Sequence, residues 1–400
     1  MTKVQQASQF PIVYVTRDIE RALAMPKIPG KTAIITNVNQ THELPAEYPL
    51  IEIPGTKLLD SRELLQNTQT VAYINKLKEA CGGVNIVVFK SSVQIERTCA
   101  KHGWNLLNNS SLLTNEIENK VSGVYWLGEL GKLLPPHSVQ ILKNVTWASK
   151  PFILQFNRAH TGQGTMLISS EADLHKLQET FPEREVRVTT FIDGPMFTSN
   201  NIVHANGVLV GNVSYQITGI KPFTDNPFAT IGNDWGLAHK LFDDSLQEQH
   251  RAMVELVGEK LRFAGYKGLF GIDMVLDEKE HTLMLIEINA RQPASTTFES
   301  TLQHGLTTFA AHIQALLGKA VTAPLAKITA GSQIIIRTTV DRKSLTMSRV
   351  NELANKYAVR LYTNEKPGAD LLRIMWPEGS MMKDHAKLSD AGLATAKLTA

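Results

Sequence analysis

Two apolar segments separated by a short polar turn stand out within residues 268–292, which read GLFGIDMVLDEKEHTLMLIEINARQ. Both segments have the length and apolar content of buried strands, and the DEKEH run between them is typical of a hairpin turn centred near residue 280. With this turn, Asp273 of the first strand lies across from Glu287 of the second. The segment therefore predicts an antiparallel pair that brings two carboxylates together.

One face of this predicted hairpin carries a carboxylate pair, an amide and a guanidinium. Because successive side chains of a strand point to opposite faces, Glu287, Asn289 and Arg291 share one side. The other side is predicted to enter a core: Ile286, Ile288 and Ala290. Opposed carboxylates repel each other on a sheet, and Mg²⁺ prefers oxygen ligands from a few carboxylates together with phosphates. Asp273, Glu287 and Asn289 are therefore candidate magnesium ligands, and a solvent-exposed hairpin face is the alternative.

The first 110 residues alternate strand-like and helix-like segments. Four apolar, β-branched runs are predicted strands: 11–16, 31–37, 50–55 and 84–92. Apolar residues recur at helical spacing over 60–80, with Asp60 as the N-cap, and over 93–102, with Gly103 beyond the end. Strands that alternate with helices form a parallel, doubly wound sheet, so residues 1–110 are predicted to be an N-terminal α/β domain.

From residue 111 onward the pattern changes to short strands with turn residues between them and a few helices. This pattern is typical of an α+β domain with a mixed, largely antiparallel sheet, which we place at residues 111–325 with a lid subdomain at about 145–195. Asn206-Gly207 between two alternating runs predicts a hairpin turn. The spacing within residues 326–400 predicts a small C-terminal α/β unit.

Composition narrows the possible functions. The formal net charge of +3 is not clustered, which disfavours a nucleic-acid-binding groove. Cys81 and Cys99 have neither a metal-binding nor a disulfide spacing, and the chain has no G-x-x-x-x-G-K-[ST] phosphate loop and no G-x-S-x-G nucleophile elbow. The polar first ten residues do not form a signal peptide, and no apolar run has the length of a membrane span. We expect a cytoplasmic protein without nucleic-acid or membrane partners.

The hairpin GLFGIDMVLD…LMLIEINAR resembles the signature hairpin of the ATP-grasp superfamily, in which an acid follows the first strand and Glu-x-Asn the second. The arginine two residues after the asparagine is similar to the subset that includes biotin carboxylase and several carboxylate–amine ligases. The resemblance implies that Asp273, Glu287 and Asn289 bind one or two Mg²⁺ ions, with Mn²⁺ as an alternative, that bridge the phosphates of ATP. It also implies catalytic roles for Asn289 and Arg291, and that the ATP-grasp domain follows a pre-ATP-grasp domain.

The resemblance extends over residues 84–320 and implies further nucleotide contacts. Lys120 in EIENK matches the lysine that opens a helix and reaches an ATP phosphate. The run PFILQFNRAHTGQGTMLISS resembles the strand, glycine loop and strand that close over the phosphates, with Gly162 and Gly164 in the loop. The chain departs from the family at Gln155, where a lysine is usual. Arg158 is a nearby residue that could supply the charge.

The segment EVRVTTFIDG resembles the strand and hinge that hold adenine in this superfamily. Thr189, Phe191 and Ile192 match the adenine-binding positions, although the family often has an acid at the position of Thr189. Further along the chain, Gln216 and Asn233 are expected in a glycine- and asparagine-rich loop near the substrate. The adjacent Asp234 is more typical of a helix N-cap.

The activity implied by the resemblance is an ATP- and magnesium-dependent ligase, which activates a carboxylate as an acyl phosphate for attack by an amine. The expected partners are a small-molecule carboxylate and an amine, and a homodimer is one possible assembly. Two alternatives stay open: a bicarbonate-activating carboxylase similar to biotin carboxylase, and a non-catalytic, nucleotide-binding regulatory protein.

Overall fold

The computed structural model describes residues 9–27, 31–37, 49–55, 57–157, 164–339, 345–362 and 367–399. Within these residues the strands form sheets of five, four and nine strands and one two-stranded ladder. The N-terminal sheet is parallel, whereas the pairings in the other sheets are antiparallel. This arrangement confirms the predicted class, an N-terminal doubly wound parallel sheet followed by an α+β domain.

The N-terminal sheet has the order β3-β2-β1-β4-β5. Its elements are β1 Ile12–Val15, β2 Thr32–Asn37, β3 Leu50–Ile53, α1 Ser61–Gln66, α2 Thr68–Cys81, β4 Asn85–Val87, α3 Val93–His102 and β5 Asn105–Leu106. Alternate residues of β1 enter two different apolar clusters, with Val13 in one and Tyr14 in the other. The cluster around Tyr14 also contains Phe309 and Ile313 from the second half of the chain, so the sheet packs against the rest of the molecule through one face.

The helix predicted over 60–80 is two helices with a break at Asn67. Asp60 caps α1 as predicted, because its side chain accepts the backbone N–H of Glu63. Asn67 has an extended ψ of 136° and caps α2 by accepting the N–H of Gln69, so its side chain replaces the helical bond that the break removes. Gly103 ends α3 with a φ of 63°, a left-handed conformation that favours glycine.

Two short helices connect the N-terminal sheet to the lid, and Lys120 lies in the turn between them. The helices are α4 Ser111–Glu118 and α5 Ser122–Leu127, followed by a 3-10 helix over Gly128–Leu133. The Asn157 side chain accepts the backbone N–H groups of Val121 and Ser122 at 3.1 and 3.3 Å. These bonds satisfy the first turn of α5 and fix the position of the preceding Lys120.

The lid is a four-stranded sheet with the order β6-β9-β7-β8 and one helix. Its elements are β6 His137–Ile141, β7 Phe152–Phe156, β8 Thr165–Ile168, α6 Glu171–Thr180 and β9 Glu185–Thr190, with a 3-10 helix over Leu142–Asn144. Because β6 pairs with β9, the lid sheet begins at His137 and therefore before the limit of about 145 expected from the sequence.

The nine-stranded central sheet has the order β15-β14-β10-β12-β13-β16-β18-β17, with β11 paired to β10. Its strands are β10 Met196–His204, β11 Gly207–Leu209, β12 Val213–Thr218, β13 Thr230–Asp234, β14 Gly268–Asp277, β15 Thr282–Asn289, β16 Ser332–Arg337, β17 Ala358–Leu361 and β18 Asp370–Trp376. The helices that accompany it are α7 Trp235–Leu241, α8 Asp244–Phe263, α9 Thr296–Leu302, α10 Thr308–Leu316, α11 Met347–Ala354 and α12 Asp390–Thr399. The two-stranded ladder is β19 Met382–Asp384 with β20 Lys387–Leu388. The hairpin predicted at Asn206-Gly207 joins β10 to β11.

Strands of the tail extend this central sheet. β16 pairs with β13, and β18 and β17 follow, so the residues predicted as a small C-terminal α/β unit contribute three strands to the sheet that carries the hairpin. Gln216 and Asn233, expected in a loop, are opposed partners inside β12 and β13. Both side chains are buried and hydrogen-bonded within the sheet.

No helix in the described part of the chain has the length and apolar character needed to cross a membrane.

Candidate active site

The register of the hairpin places the two predicted carboxylates opposite each other. Asp273 of β14 is the cross-strand partner of Glu287 of β15, and Gly271 is the partner of Asn289. A Cβ atom at Gly271 would lie 3.2 Å from the Cβ of Asn289. The absence of a side chain at Gly271 therefore makes room for the Asn289 side chain. The predicted pairing of Asp273 with Glu287 is confirmed.

A β-bulge lies immediately beside this pair. Asp273 pairs with Glu287 but Met274 pairs with Leu285, so Ile286 is an extra residue in β15. Ile286 is half-buried and its carbonyl faces the lid, where it accepts a hydrogen bond from Arg187 at 3.1 Å. The prediction that Ile286 points into the core is therefore wrong, because simple alternation does not hold across a bulge. Ile288 and Ala290 do enter the central core as expected.

The donor set of the hairpin fits a hard cation. Asn289 Nδ2 donates to Asp273 Oδ2 at 3.1 Å, so the amide and the carboxylate are in contact. Burial raises the pKa of Asp273, against hydrogen bonds from Thr198 and Asn289 and the charge of Lys120, which lower it. No group of three His, Cys, Asp or Glu residues gathers around a common point in the described ranges. Two carboxylates and an amide suit Mg²⁺, which usually takes its remaining oxygens from water and phosphate.

Lys120 meets the hairpin from the turn before α5. Its ammonium forms an ion pair with Glu287, and both side chains are largely buried. Burial, reinforced by the positive charge of Arg187, lowers the pKa of Lys120 to about 7. One cleft is lined by residues that include Lys120, Arg187, Ile286 and Glu287. The structure thus brings the residue matched to phosphate binding next to a residue matched to metal binding.

Arg291 lies just beyond the hairpin and is neutralised by an acid that the sequence reading overlooked. Its Nη1 is 2.5 Å from Glu118 Oε1, and Lys90 Nζ is 2.5 Å from the other oxygen of the same carboxylate. Glu118 is nearly buried between the two cations. Arg291, Lys90 and neighbouring Asn109 also border a second cleft, between the N-terminal sheet and the hairpin.

Gln155 and Arg187 are cross-strand partners on the face of the lid sheet opposite its apolar core. Arg187 Nε donates to Gln155 Oε1 at 2.7 Å, and Gln155 Nε2 donates to Thr165 Oγ1 at 3.0 Å. Burial lowers the pKa of Arg187 to about 10. Arg187 was missed from the sequence, although a charged residue within the alternating run EVRVTT was a usable signal.

The glycine loop is only partly described. Gly164 precedes β8, and its carbonyl accepts the N–H of Phe156 at 3.1 Å, so it closes the β7–β8 hairpin. Gly162 and Arg158 lie outside the described residues. The proposed contact of this loop with phosphate stays a prediction.

The hinge positions form the connection between the lid and the central sheet. Thr189 is in β9, its side chain is buried, and its hydroxyl has no hydrogen-bond partner within the described ranges. Phe191 and Ile192 follow in the extended linker to β10. A Cβ at Gly194 would lie 2.0 Å from the Leu276 carbonyl oxygen, so this glycine allows the linker to run against β14. These residues join the lid to the central sheet, and their contact with adenine stays a prediction.

Polar contacts join the end of the hairpin to the N-terminal sheet. Tyr14 donates to Gln292 Oε1 at 2.5 Å, and Gln292 and Arg21 exchange side-chain to backbone hydrogen bonds at 2.8 and 3.0 Å. Arg21 also lies over the Phe89 ring, 5.0 Å from its centroid. These contacts hold the N-terminal domain against the residues that follow Arg291.

No known family and no curated protein matches this sequence. Solved structures do match the fold. N5-carboxyaminoimidazole synthetase from Staphylococcus aureus in complex with ADP has a TM-score of 0.63 and 14% identity, over 97% of this chain and 95% of that one. The carboxyaminoimidazole ribonucleotide synthase from Aspergillus clavatus complexed with ATP has a TM-score of 0.64 and 15% identity, over 98% of this chain and 97% of that one.

A carboxylase has the same fold. The biotin carboxylase domain of the Hydrogenobacter thermophilus 2-oxoglutarate carboxylase, a dimer in complex with MgADP, ADP and bicarbonate, has a TM-score of 0.63 and 14% identity. The match covers 92% of this chain and 86% of that one. The chain therefore has the ATP-grasp fold, as the resemblance of its hairpin predicted. Within that class, its architecture is shared with the N5-carboxyaminoimidazole synthetases over nearly the whole chain.

Proposed function

We propose that this protein is an ATP- and magnesium-dependent ligase that activates a carboxylate as an acyl phosphate. The observation that carries the proposal is the opposed pair Asp273–Glu287, with Asn289 in contact with Asp273 and Lys120 in contact with Glu287. Lys120 and Glu287 both line one cleft. Structures with this fold contain ADP, ATP or MgADP, which supports a nucleotide in this cleft.

The chain's own residues bind and orient the reactants. Lys120 contacts a phosphate as a point charge, and the Thr189–Ile192 hinge receives the base through its backbone groups. Asp273, Glu287 and Asn289 would hold Mg²⁺, which would spread the charge of the γ-phosphoryl group. Positioning and electrostatics supply most of the rate enhancement in such a transfer, so no nucleophile of the protein is needed.

The reaction has two steps. A carboxylate oxygen of the substrate attacks the γ-phosphorus, and ADP leaves. The nitrogen of an amine then attacks the carbonyl carbon of the acyl phosphate, loses a proton and displaces phosphate. Arg291 lies at the end of the same hairpin and is assigned to steady the oxygen that carries the developing negative charge, in exchange for its ion pair with Glu118. The lid over the cleft excludes water from the acyl phosphate.

The leading function and a second candidate differ in the acid that the enzyme activates. An organic carboxylate with an amine acceptor is the leading pair. Bicarbonate is the second candidate for the acid, and it is favoured by the bicarbonate bound to a carboxylase domain of the same fold. We further propose a cytoplasmic location. We also propose a homodimer, since that carboxylase domain is a dimer.

The test is nucleotide turnover followed by isotope transfer. Full-length protein with Mg-ATP is supplied with panels of amino acids and other carboxylates, and separately with bicarbonate in carbonate-free buffer, while ADP formation is measured. The acid that supports turnover is then labelled with ¹⁸O. Transfer of one ¹⁸O to the released phosphate supports an acyl phosphate. Tight nucleotide binding without turnover with any acid would favour a regulatory role.

A further inference from the structure

Arg187 lies on the face of the lid sheet opposite its apolar core, and it lines the cleft. Val186 and Val188 of β9 pack into the apolar core of the lid. Because side chains alternate along a strand, Arg187 and Thr189 point to the opposite face. Gln155 of β7 is the cross-strand partner of Arg187 and shares this face. This face of the lid therefore carries a guanidinium, an amide and a hydroxyl, and of these three residues Arg187 lines the cleft.

The Arg187 guanidinium is held from two sides. Its Nε donates to Gln155 Oε1 at 2.7 Å within the lid, and its Nη2 donates to the Ile286 carbonyl at 3.1 Å in the hairpin. These two bonds use two of the five N–H groups of the side chain and fix the plane of the guanidinium. Since Ile286 precedes Glu287, the cation reaches from the lid to the candidate metal ligands.

Lys120 and Arg187 place two positive charges in this cleft, which raises its electrostatic energy. Arg187 is only 6% exposed, and it lines the cleft together with Lys120. Like charges that are removed from water repel each other strongly, and they need a compensating anion. The carboxylate paired with Lys120 is Glu287, which is itself a candidate ligand of Mg²⁺. An anion with several charged oxygens between Lys120 and Arg187 offsets the repulsion.

We propose that Arg187 binds the nucleotide phosphates together with Lys120, an inference that rests on the proposed function. Gln155 is then a positioning residue that orients the guanidinium. The proposal accounts for an amide where the resemblance has a lysine, because the cation is carried by the neighbouring strand β9. A guanidinium suits this place, since its planar fork binds phosphate oxygens in pairs.

The experiment compares a ligand with phosphates and one without. Dissociation constants for Mg-ATP and for adenosine are measured by calorimetry on wild type, Arg187→Gln and a matched control, Arg184→Gln. Arg184 is exposed on the same lid, three residues away, and it stacks on Phe181. We expect Arg187→Gln to raise the Kd for ATP roughly ten- to hundredfold, because charge-assisted hydrogen bonds to phosphate are lost. The Kd for adenosine should change less than about twofold. The control should resemble wild type for both ligands.

An equal loss of affinity for both ligands would assign Arg187 a purely structural role, and unchanged ATP affinity would overturn the proposal as well. If Arg187→Gln does not fold, Arg187→Lys serves, because a single ammonium cannot bond Gln155, Ile286 and phosphate with the same geometry. A selective loss of ATP affinity in that variant supports the proposal, and an unchanged ratio of the two constants refutes it. A wild-type protein that binds no ATP would instead contradict the proposed function.

Discussion

The ammonium of Lys120 and the carboxylate of Glu287 form an ion pair across the cleft, 167 residues apart in the chain. Lys120 comes from a turn between two helices, and Glu287 from the hairpin of the central sheet. The candidate phosphate-binding residue and a candidate metal ligand are therefore in direct contact. In the proposed function, an incoming Mg-nucleotide exchanges this contact for bonds from Lys120 to phosphate and from Glu287 to Mg²⁺.

Glu287→Ala is expected to abolish ATP turnover while the fold survives. The variant removes one of two opposed carboxylates, so the repulsion within the hairpin also disappears. The matched control is Glu280→Ala, which removes an exposed acid from the turn of the same hairpin. Magnesium-dependent ADP formation and the melting temperature are measured for both. Turnover retained in Glu287→Ala would contradict the assignment of Glu287 to the metal.

Lys120→Met is expected to weaken Mg-ATP binding by about tenfold or more, because a charge-assisted bond to phosphate is lost. Methionine keeps most of the apolar stem that Lys120 buries, so the turn before α5 should stay folded. Lys132→Met is the control, since Lys132 is exposed on the adjacent 3-10 helix. Calorimetric titration with Mg-ATP gives the comparison, and equal affinity in both variants would remove Lys120 from the site.

Glu299 is expected to make folding stability fall as pH rises. Burial raises its pKa to about 8, and its hydrogen-bond partners Asn200 and Thr308 are neutral. Between its usual pKa of 4.5 and about 8, the unfolded chain is ionised at this residue and the folded protein stays protonated. The unfolded state then binds fewer protons, so the free energy of unfolding decreases through this window, by about 1.4 kcal/mol for each pKa unit of difference.

The free energy of unfolding in urea is measured for wild type and Glu299→Gln at pH 5.5, 7 and 8.5, and the difference between the two proteins is compared. Buried His250 and His312 have pKa values lowered to about 4 and about 3, and they affect both proteins equally. We expect the glutamine variant to gain stability relative to wild type by a few kcal/mol as pH rises, since glutamine cannot ionise. A difference that is independent of pH would show that Glu299 is ionised in the folded protein.

Asp234→Ala is expected to destabilise the protein by roughly 3 kcal/mol, as the loss of a buried hydrogen-bond network does. Asp234 is fully buried, and it caps α7 through Leu237 N while its other oxygen accepts from Ser380 Oγ and Met382 N. Asp243→Ala is the matched control. This exposed aspartate caps α8, and its loss should cost about 1 kcal/mol. If both variants lowered the urea midpoint equally, the contacts of Asp234 with Ser380 and Met382 would add nothing to stability.

Local features were predictable because their causes lie within a few residues. Asp60, Gly103 and Asp234 occupy the helix ends that their side-chain and backbone chemistry favours. The pairing of Asp273 with Glu287 followed from the turn between them. The break at Asn67 was not foreseen, since the apolar spacing continues through it.

The sequence alone determined the parallel N-terminal sheet, the hairpin with its oxygen donors and the class of fold, because alternation and turn chemistry act over short distances. Tertiary structure decided the rest. Ile286 turns towards the lid because of a bulge, and the tail joins the central sheet through the pairing of β13 with β16. Arg187 meets Gln155 only because β9 lies beside β7. Such contacts depend on which distant strands pair, and this is set by the packing of whole elements and not by the residues around any one of them.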